Sequence, residues 1–141
     1  MLSVASIEPA VEIDLDAVVA RACRAQELFE NWTEEGVDRL LHAIATETAD
    51  AAETLASAAV SETGLGNVRD KTLENRFAGL GLYRTLAGKV AHGTLSSDPE
   101  RQVTEVASAV GVVFAIVPVT TPPATAIFKV MISLKSRTPS S

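Results

Sequence analysis

Apolar residues recur at helical spacing through the first two thirds of the chain and at strand spacing in the last third. From Asp14, the positions Leu15, Val18, Val19, Ala22, Phe29 and Trp32 fall along one helical stripe. Asp14 is placed to cap that helix, because its carboxylate can accept from an unpaired amide of the first turn. Thr33 offers a second cap, followed by Glu34 and Glu35 at the positive end of the next helix. Val37, Leu40, Leu41, Ile44, Thr48, Ala52, Leu55 and Ala59 then line one face, and Gly64 in "ETGLG" supplies a left-handed stop. Asn67 caps a third helix, whose Phe77, Leu80 and Tyr83 are expected to face inward. Gly79 and Gly81 each weaken it by roughly 1 kcal/mol relative to Ala, which implies close packing against a neighbour there.

The pattern changes after residue 88. "GTLSSDPERQVTEVASAVGVVFAIVP" alternates and carries a turn signal at Ser97-Asp98-Pro99, predicting a β-hairpin followed by a buried strand over 111–117. A helix starts after Pro122 and Pro123, with Ile127, Met131 and Leu134 inward. Lys129, Lys135 and Arg137 are expected outside, toward its negative end. The chain therefore divides into a loose entry (1–13), a helical segment (14–88), a hairpin (89–110), a strand–helix unit (111–137) and a short tail (138–141). No internal repeat interrupts this order.

Composition narrows the class. At 141 residues and 47% hydrophobic content the chain suits one globular domain with a real core. A net charge of −6, without any cluster of Lys or Arg, argues against a nucleic-acid partner. The longest apolar stretch, "VASAVGVVFAIVPV", is shorter than a bilayer requires and rich in β-branched residues, so it reads as a strand and not a membrane helix. No basic region precedes an apolar core at the N-terminus, and a cytoplasmic location is the default expectation. A single cysteine removes any internal disulfide and any multi-cysteine metal site.

Few residues advertise chemistry. Cys23, in mid-helix, lacks a partner base or a dipole end, so packing is its expected role. His42 and His92 are far apart with no ligand at metal spacing, and Glu62 and the Glu34-Glu35 pair read as solvated or capping carboxylates. No metal site is expected. Neither phosphate-binding glycine pattern occurs. The stretch "AIVPVTTPPATAIFK" (115–129) is different, because it hands a strand to a helix, and ligands gather at such carboxyl ends in α/β sheets. Thr121, held extended by the following proline, and Thr120 bring two hydroxyls to a stiff turn.

Two long stretches carry a resemblance. "ETGLGNVRDKTLENRFAG" (62–79) resembles the pattern E-S/T-G-M/L-G-x-x-x-D-K-x-x-x-N-x-F-A of CoA-acylating aldehyde dehydrogenases, including the aldehyde dehydrogenase half of bifunctional aldehyde–alcohol dehydrogenases. "GVVFAIVPVTTPPATAIFKVMISLKSR" (111–137) resembles their G-I/V-I/V-x-x-I/L-V/T-P-T/V-T-N-P-x-x-T-A-I-F-K-x-L/M-I-A/S-L-K-S/T-R. Both lie in the family's order.

The resemblance implies an α/β fold, cut short. N-terminal helices, a β-hairpin and the first strand–helix unit of an aldehyde dehydrogenase-like, Rossmann-type domain would be present, and the nucleophilic cysteine and most of the dinucleotide site would not. It also implies NAD as cofactor, CoA as co-substrate, a small aldehyde as substrate and a homo-oligomer in the full-length family. Val117, Pro118, Val119 and Thr120 would contribute to the NAD site. Thr121 stands where the family's loop has asparagine, a donor to the oxyanion formed on thiol attack; a threonine hydroxyl donates over a shorter reach. "TPSS" replaces the family's next strand, which suggests a truncated or frame-shifted reading. An N-terminal piece of such an enzyme, inactive alone, and a non-catalytic oligomerisation module derived from that family are both open. The two motif stretches weigh against an unrelated helical domain.

Overall fold

The structure, a computed structural model, describes residues 13–137. All of the loose entry but Ile13, and the tail at 138–141, lie outside the described residues. The first helix, α1 (Leu15–Phe29), is capped by Asp14, whose carboxylate accepts from Ala17 N at 3.0 Å. No residue of α1 is buried. Phe29 reaches the core and meets Trp32 with ring centroids 5.0 Å apart. Cys23 is exposed on this helix, which corrects the packing role expected for it.

The second helix, α2 (Glu34–Thr63), is the spine of the molecule. Thr33 Oγ1 accepts from Gly36 N at 3.1 Å, and Gly64 ends the helix at φ 68°. Its buried side is mostly alanine (Ala45, Ala52, Ala56, Ala59), so neighbouring helices come close. α3 (Val68–Arg76), capped by Asn67 on Asp70 N at 2.9 Å, lies on that side. Fully buried Asn75 donates its Nδ2 to the Ala52 carbonyl at 3.0 Å, a polar bolt in an apolar seam.

A single π-type turn (Phe77–Gly81) follows, then α4 (Leu82–Leu86). The face applied to α2 is made by Thr72, Asn75, Ala78 and Gly79, not by Phe77. A Cβ on Gly79 would sit 2.9 Å from Thr48 Cγ2, so this contact needs glycine. Phe77 is consequently turned outward, 78% exposed, contrary to the inward position expected. Leu80 and Tyr83 are half-buried at the core's edge.

The strands β1 (Gly93–Asp98) and β2 (Val103–Ala107) form the expected antiparallel hairpin, with a bulge between Thr94 and Ser96. Asp98 Oδ1 accepts from Glu100 N and Arg101 N, closing the turn. The hairpin strands pair with each other. Among the described residues, the stretch 111–117 expected as a strand carries one bridge position, at Val113. The segment runs on without regular structure into α5 (Pro122–Lys135).

α5 lies on α2, where Met131 joins Val37, Leu41 and Ala45 in the core, flanked by Ile127 and Leu134. Its basic end is not outside as expected. Lys135 and Arg137 are 2% and 4% exposed. Lys135 Nζ reaches Asp38 Oδ1 at 2.6 Å and Glu34 Oε2 at 3.0 Å. Arg137 reaches Glu34 Oε1 at 2.8 Å and donates its Nε to the Trp32 carbonyl. The first two turns of α2 thus supply the carboxylates, Glu34 and Asp38, that let these cations be buried. Glu34 is an ion-pair residue, whereas Glu35 makes an exposed pair with Arg39 on the surface. No helix among the described residues is long and apolar enough to cross a membrane.

Burial raises the pKa of Glu34, but hydrogen bonds and charge from Lys135 and Arg137 outweigh it and hold the group below its ordinary value. Asp38 behaves likewise, with burial opposed by Lys135 and the Gly88 amide. Depressed carboxylates stabilise the fold fully above their unfolded pKa and lose that contribution as pH falls through the folded one. Urea midpoints should therefore be flat near neutrality and drop as pH falls below the ordinary carboxylate range. Lys135→Met should lower stability at pH 7 by about 3 kcal/mol and flatten the acid limb; an unchanged limb in that variant would refute the assignment.

Candidate functional site at the start of α5

The turn 116–121 is fastened by two lysines from different helices. Lys129, in α5, donates to the Ile116 carbonyl at 2.9 Å. Lys71, in α3, is only 6% exposed and donates its Nζ to the Thr120 carbonyl at 2.5 Å. Gly66 leaves the space for that side chain: it has φ 74°, and a Cβ there would lie 3.1 Å from Lys71 Cε. The Gly66-to-Lys71 portion of the motif stretch thus builds one device, a lysine threaded under the turn.

Thr121 precedes α5 with φ −140° and ψ 56°, bent away from the extended conformation that Pro122 favours. Its carbonyl accepts from Thr125 N, and its Oγ1 lies 3.0 Å from Thr125 Oγ1. One hydroxyl proton is used in that pair, and the other remains available to an acceptor nearby. Pro122 and Pro123 carry no N–H, so this helix start lacks the amide cluster that cradles phosphate elsewhere.

Beside Thr121 lies an open depression of about 270 Å³, lined by Glu74, Phe77, Ala78, Thr121, Ala124, Thr125 and Phe128. The π-type turn presents Phe77 to it from one side, and α5 presents Phe128 from the other. The outward Phe77 thereby acquires a place. Larger hollows occur elsewhere; one between α2 and α3 holds Glu53, Arg69 and Arg76. None of those adjoins the turn.

Among the residues singled out from the sequence, Thr121 stands in the lining of this depression. Val117, Pro118, Val119 and Thr120 lie exposed on the adjoining turn. Cys23 on α1 and His42, which meets Tyr83 edge-on at 5.2 Å, are not in the lining. Among the described residues no group of three or more His, Cys, Asp or Glu is arranged to hold a metal. Sequence reasoning missed Lys71, Glu74, Thr125 and Phe128. The signal for Lys71 was present: positions 71, 75 and 78 share the buried helical face.

Replacing Lys71 by Met keeps the bulk and removes the donor. The variant should lose roughly 1–3 kcal/mol and show faster amide exchange at Thr120 and Thr121 than global unfolding accounts for. Exchange that rises equally in α2 and in the turn would show that Lys71 serves the fold and not the turn.

The aldehyde dehydrogenase family pattern matches residues 2–136. The bifunctional aldehyde-alcohol dehydrogenase AdhE of Escherichia coli (strain K12) is 40% identical over 124 residues, covering 88% of this chain and 14% of that protein. The sulfoacetaldehyde dehydrogenase (acylating) of Cupriavidus necator is 43% identical over 121 residues, covering 84% and 24%. Among solved structures, an acetylating aldehyde dehydrogenase from Geobacillus thermoglucosidasius superposes with a TM-score of 0.85 at 37% identity, covering 89% of this chain and 28% of that one. The chain thus spans between about a seventh and just over a quarter of the length of these relatives. With the pattern matched along nearly its whole length, the chain belongs to the aldehyde dehydrogenase family.

Proposed function

We propose that this chain is the N-terminal part of an NAD-dependent, CoA-acylating aldehyde dehydrogenase and forms one wall of its active site. The observation that carries the reading is the turn 116–121, pinned by Lys71 and Lys129 and bringing Thr121 to the edge of a small, mostly apolar depression. Two of the relatives named above, those of Cupriavidus necator and Geobacillus thermoglucosidasius, are an acylating and an acetylating enzyme, which supports the CoA-dependent chemistry: aldehyde, CoA and NAD⁺ give acyl-CoA, NADH and a proton.

Within that reaction the residues present have limited, definable parts. Thr121 offers a hydroxyl proton to the oxygen that gains charge as the aldehyde is attacked. The apolar Val117, Pro118 and Val119, with Thr120, suit the flat ring end of a dinucleotide better than its pyrophosphate, because glycines and free helical amides are lacking here. NAD, when bound, supplies the hydride acceptor. The reaction needs a nucleophilic thiol, and Cys23 on α1 is outside the depression. In this reading the thiol comes from a further segment of polypeptide, and the 141 residues alone do not turn over.

A second role, oligomer contact, is favoured by the hairpin. β1 and β2 contact each other and no other described element, while Leu95, Val103 and Val106 stand exposed. A bare two-stranded hairpin is barely stable in water, so its apolar side chains call for a partner surface, here a second subunit.

The decisive test is the protein at its natural length, isolated from its source and assayed for NADH formation from acetaldehyde and CoA. NADH production that requires both substrates is expected; an aldehyde oxidation indifferent to CoA, or none, sinks the proposal. In the same protein, Thr121→Val should lower kcat by about tenfold or more with little change in KM, and Thr121→Asn should retain activity. Equal loss in both variants would mean that the hydroxyl donates nothing to the reaction.

A further inference from the structure

Two hydroxyls in the lining of the depression are turned away from the partners that such groups take elsewhere in the chain. Thr121 stands at the N-cap of α5, yet its side chain caps nothing. The helices α1, α2 and α3 have caps that accept from the amide three residues on: Asp14 from Ala17, Thr33 from Gly36 and Asn67 from Asp70. Those caps have ψ angles of 95°, 155° and 157°, whereas Thr121 is bent to ψ 56°. Proline at the first two positions of α5 removes two further amides that its oxygen might have met.

Thr125 departs in its own way. Thr46, Thr63, Thr72 and Thr85 donate their hydroxyls to the carbonyl four residues back, at 2.6 to 3.1 Å. The Thr125 hydroxyl makes no such bond. Its one partner among the described residues is Thr121 Oγ1, at 3.0 Å, and Thr121 Oγ1 has no other. The two hydroxyls thus have each other and one proton to spare.

We infer that Thr125 is a positioning residue for the aldehyde dehydrogenase reaction: its hydroxyl donates to Thr121 Oγ1 and leaves the Thr121 proton for the aldehyde oxygen. This rests on the donor role proposed above for Thr121. An oxygen gaining negative charge beside Thr121 draws the Thr121 proton toward it, and the Thr121 oxygen is then best served by a donor of its own. No amide supplies one here, and the Thr125 hydroxyl does. A head-to-tail chain of this kind strengthens its terminal donor and fixes the direction in which that donor points. Both hydroxyls keep their hydrogens throughout, and no proton is transferred along the pair. Thr125 lies one helical turn into α5, so the register of that helix sets the aim of the Thr121 hydroxyl.

The test is a double-variant cycle in the natural-length protein, assayed with acetaldehyde, CoA and NAD. Thr125→Val keeps the shape of the side chain and removes its hydroxyl. Alone it should lower kcat about three- to tenfold with little change in KM, a smaller loss than that from Thr121→Val. Thr125→Ser should restore most of the activity. In a Thr121→Val background, Thr125→Val should cost nothing further, because the group it serves is gone. Melting temperatures should stay close together, and the serine variant separates the hydroxyl from packing if they do not. Full kcat in Thr125→Val, a loss that multiplies with that of Thr121→Val, or a loss that serine does not restore overturns the inference and leaves Thr121 in its role. A larger loss from Thr125→Val than from Thr121→Val reverses the order of the two hydroxyls and overturns it as well. Full activity in Thr121→Val, or no CoA-dependent oxidation in any variant, removes the reading on which the inference rests.

Discussion

Two cations buried at the end of α5 fix where the turn before that helix lies. Lys135 and Arg137 meet Glu34, Asp38 and the Trp32 carbonyl across about a hundred residues of sequence. Taking such groups out of water costs several kcal/mol each, and the cost is offset only when geometry and hydrogen bonding are good. Here each cation has two partners, and no buried side-chain nitrogen or oxygen among the described residues lacks one. The apolar contact of Met131 with Val37, Leu41 and Ala45 holds α5 against α2 but tolerates rotation or sliding. The ion pairs allow one register. With the far end of α5 so fixed, its first turn and Thr121 are carried to a set position.

The near end is fixed by a different chain of dependence, which begins in the alanine-rich face of α2. Alanines there, and Gly79 opposite Thr48, let α3 and the π-type turn approach closely enough for Asn75 to reach the Ala52 carbonyl. That seating brings Lys71 under the turn, where Gly66 leaves it room. A bulkier α2 face would lift α3 and withdraw the ammonium from Thr120. The same π-type turn that seats Gly79 rotates Phe77 outward beside Thr121. Close packing on one side of the segment and an apolar lining on the other are two consequences of one local geometry.

What could be read from the sequence was local. Asp14, Thr33 and Asn67 cap helices, Gly64 ends one and Asp98 closes the hairpin, because each acts within a few residues of itself. Pairings across the chain were not legible. Nothing near Lys135 announces a carboxylate at Glu34, so a basic residue in a last helical turn is naturally assigned to solvent. Phe77 was misplaced because a π-type turn shifts the face by one residue and leaves no signature beyond its glycines. The strand expected over 111–117 rests on side-chain pattern, and pattern alone does not say which segment pairs with it. Thr121 was found through the family pattern around it. Glu74 and Phe128 come to the same depression only through the packing of α3 against α5.

Val110, Phe114 and Ile116 are strongly exposed and Val113 is half-buried, so neighbouring positions on both sides of the chain are apolar. That is the pattern of a strand covered on both faces, left here with one bridge. On the proposed reading, cover comes from the polypeptide that makes up the rest of the relatives' length. The two lysines limit what such cover can do. The Ile116 carbonyl already accepts from Lys129, and the Thr120 carbonyl from Lys71. A ladder along residues 111–115 would therefore end where Ile116 turns its oxygen to α5, and the turn beyond would keep its present hydrogen bonds. The wall bearing Thr121 is in this way organised by contacts internal to the chain, whether or not a neighbouring strand has docked beside it.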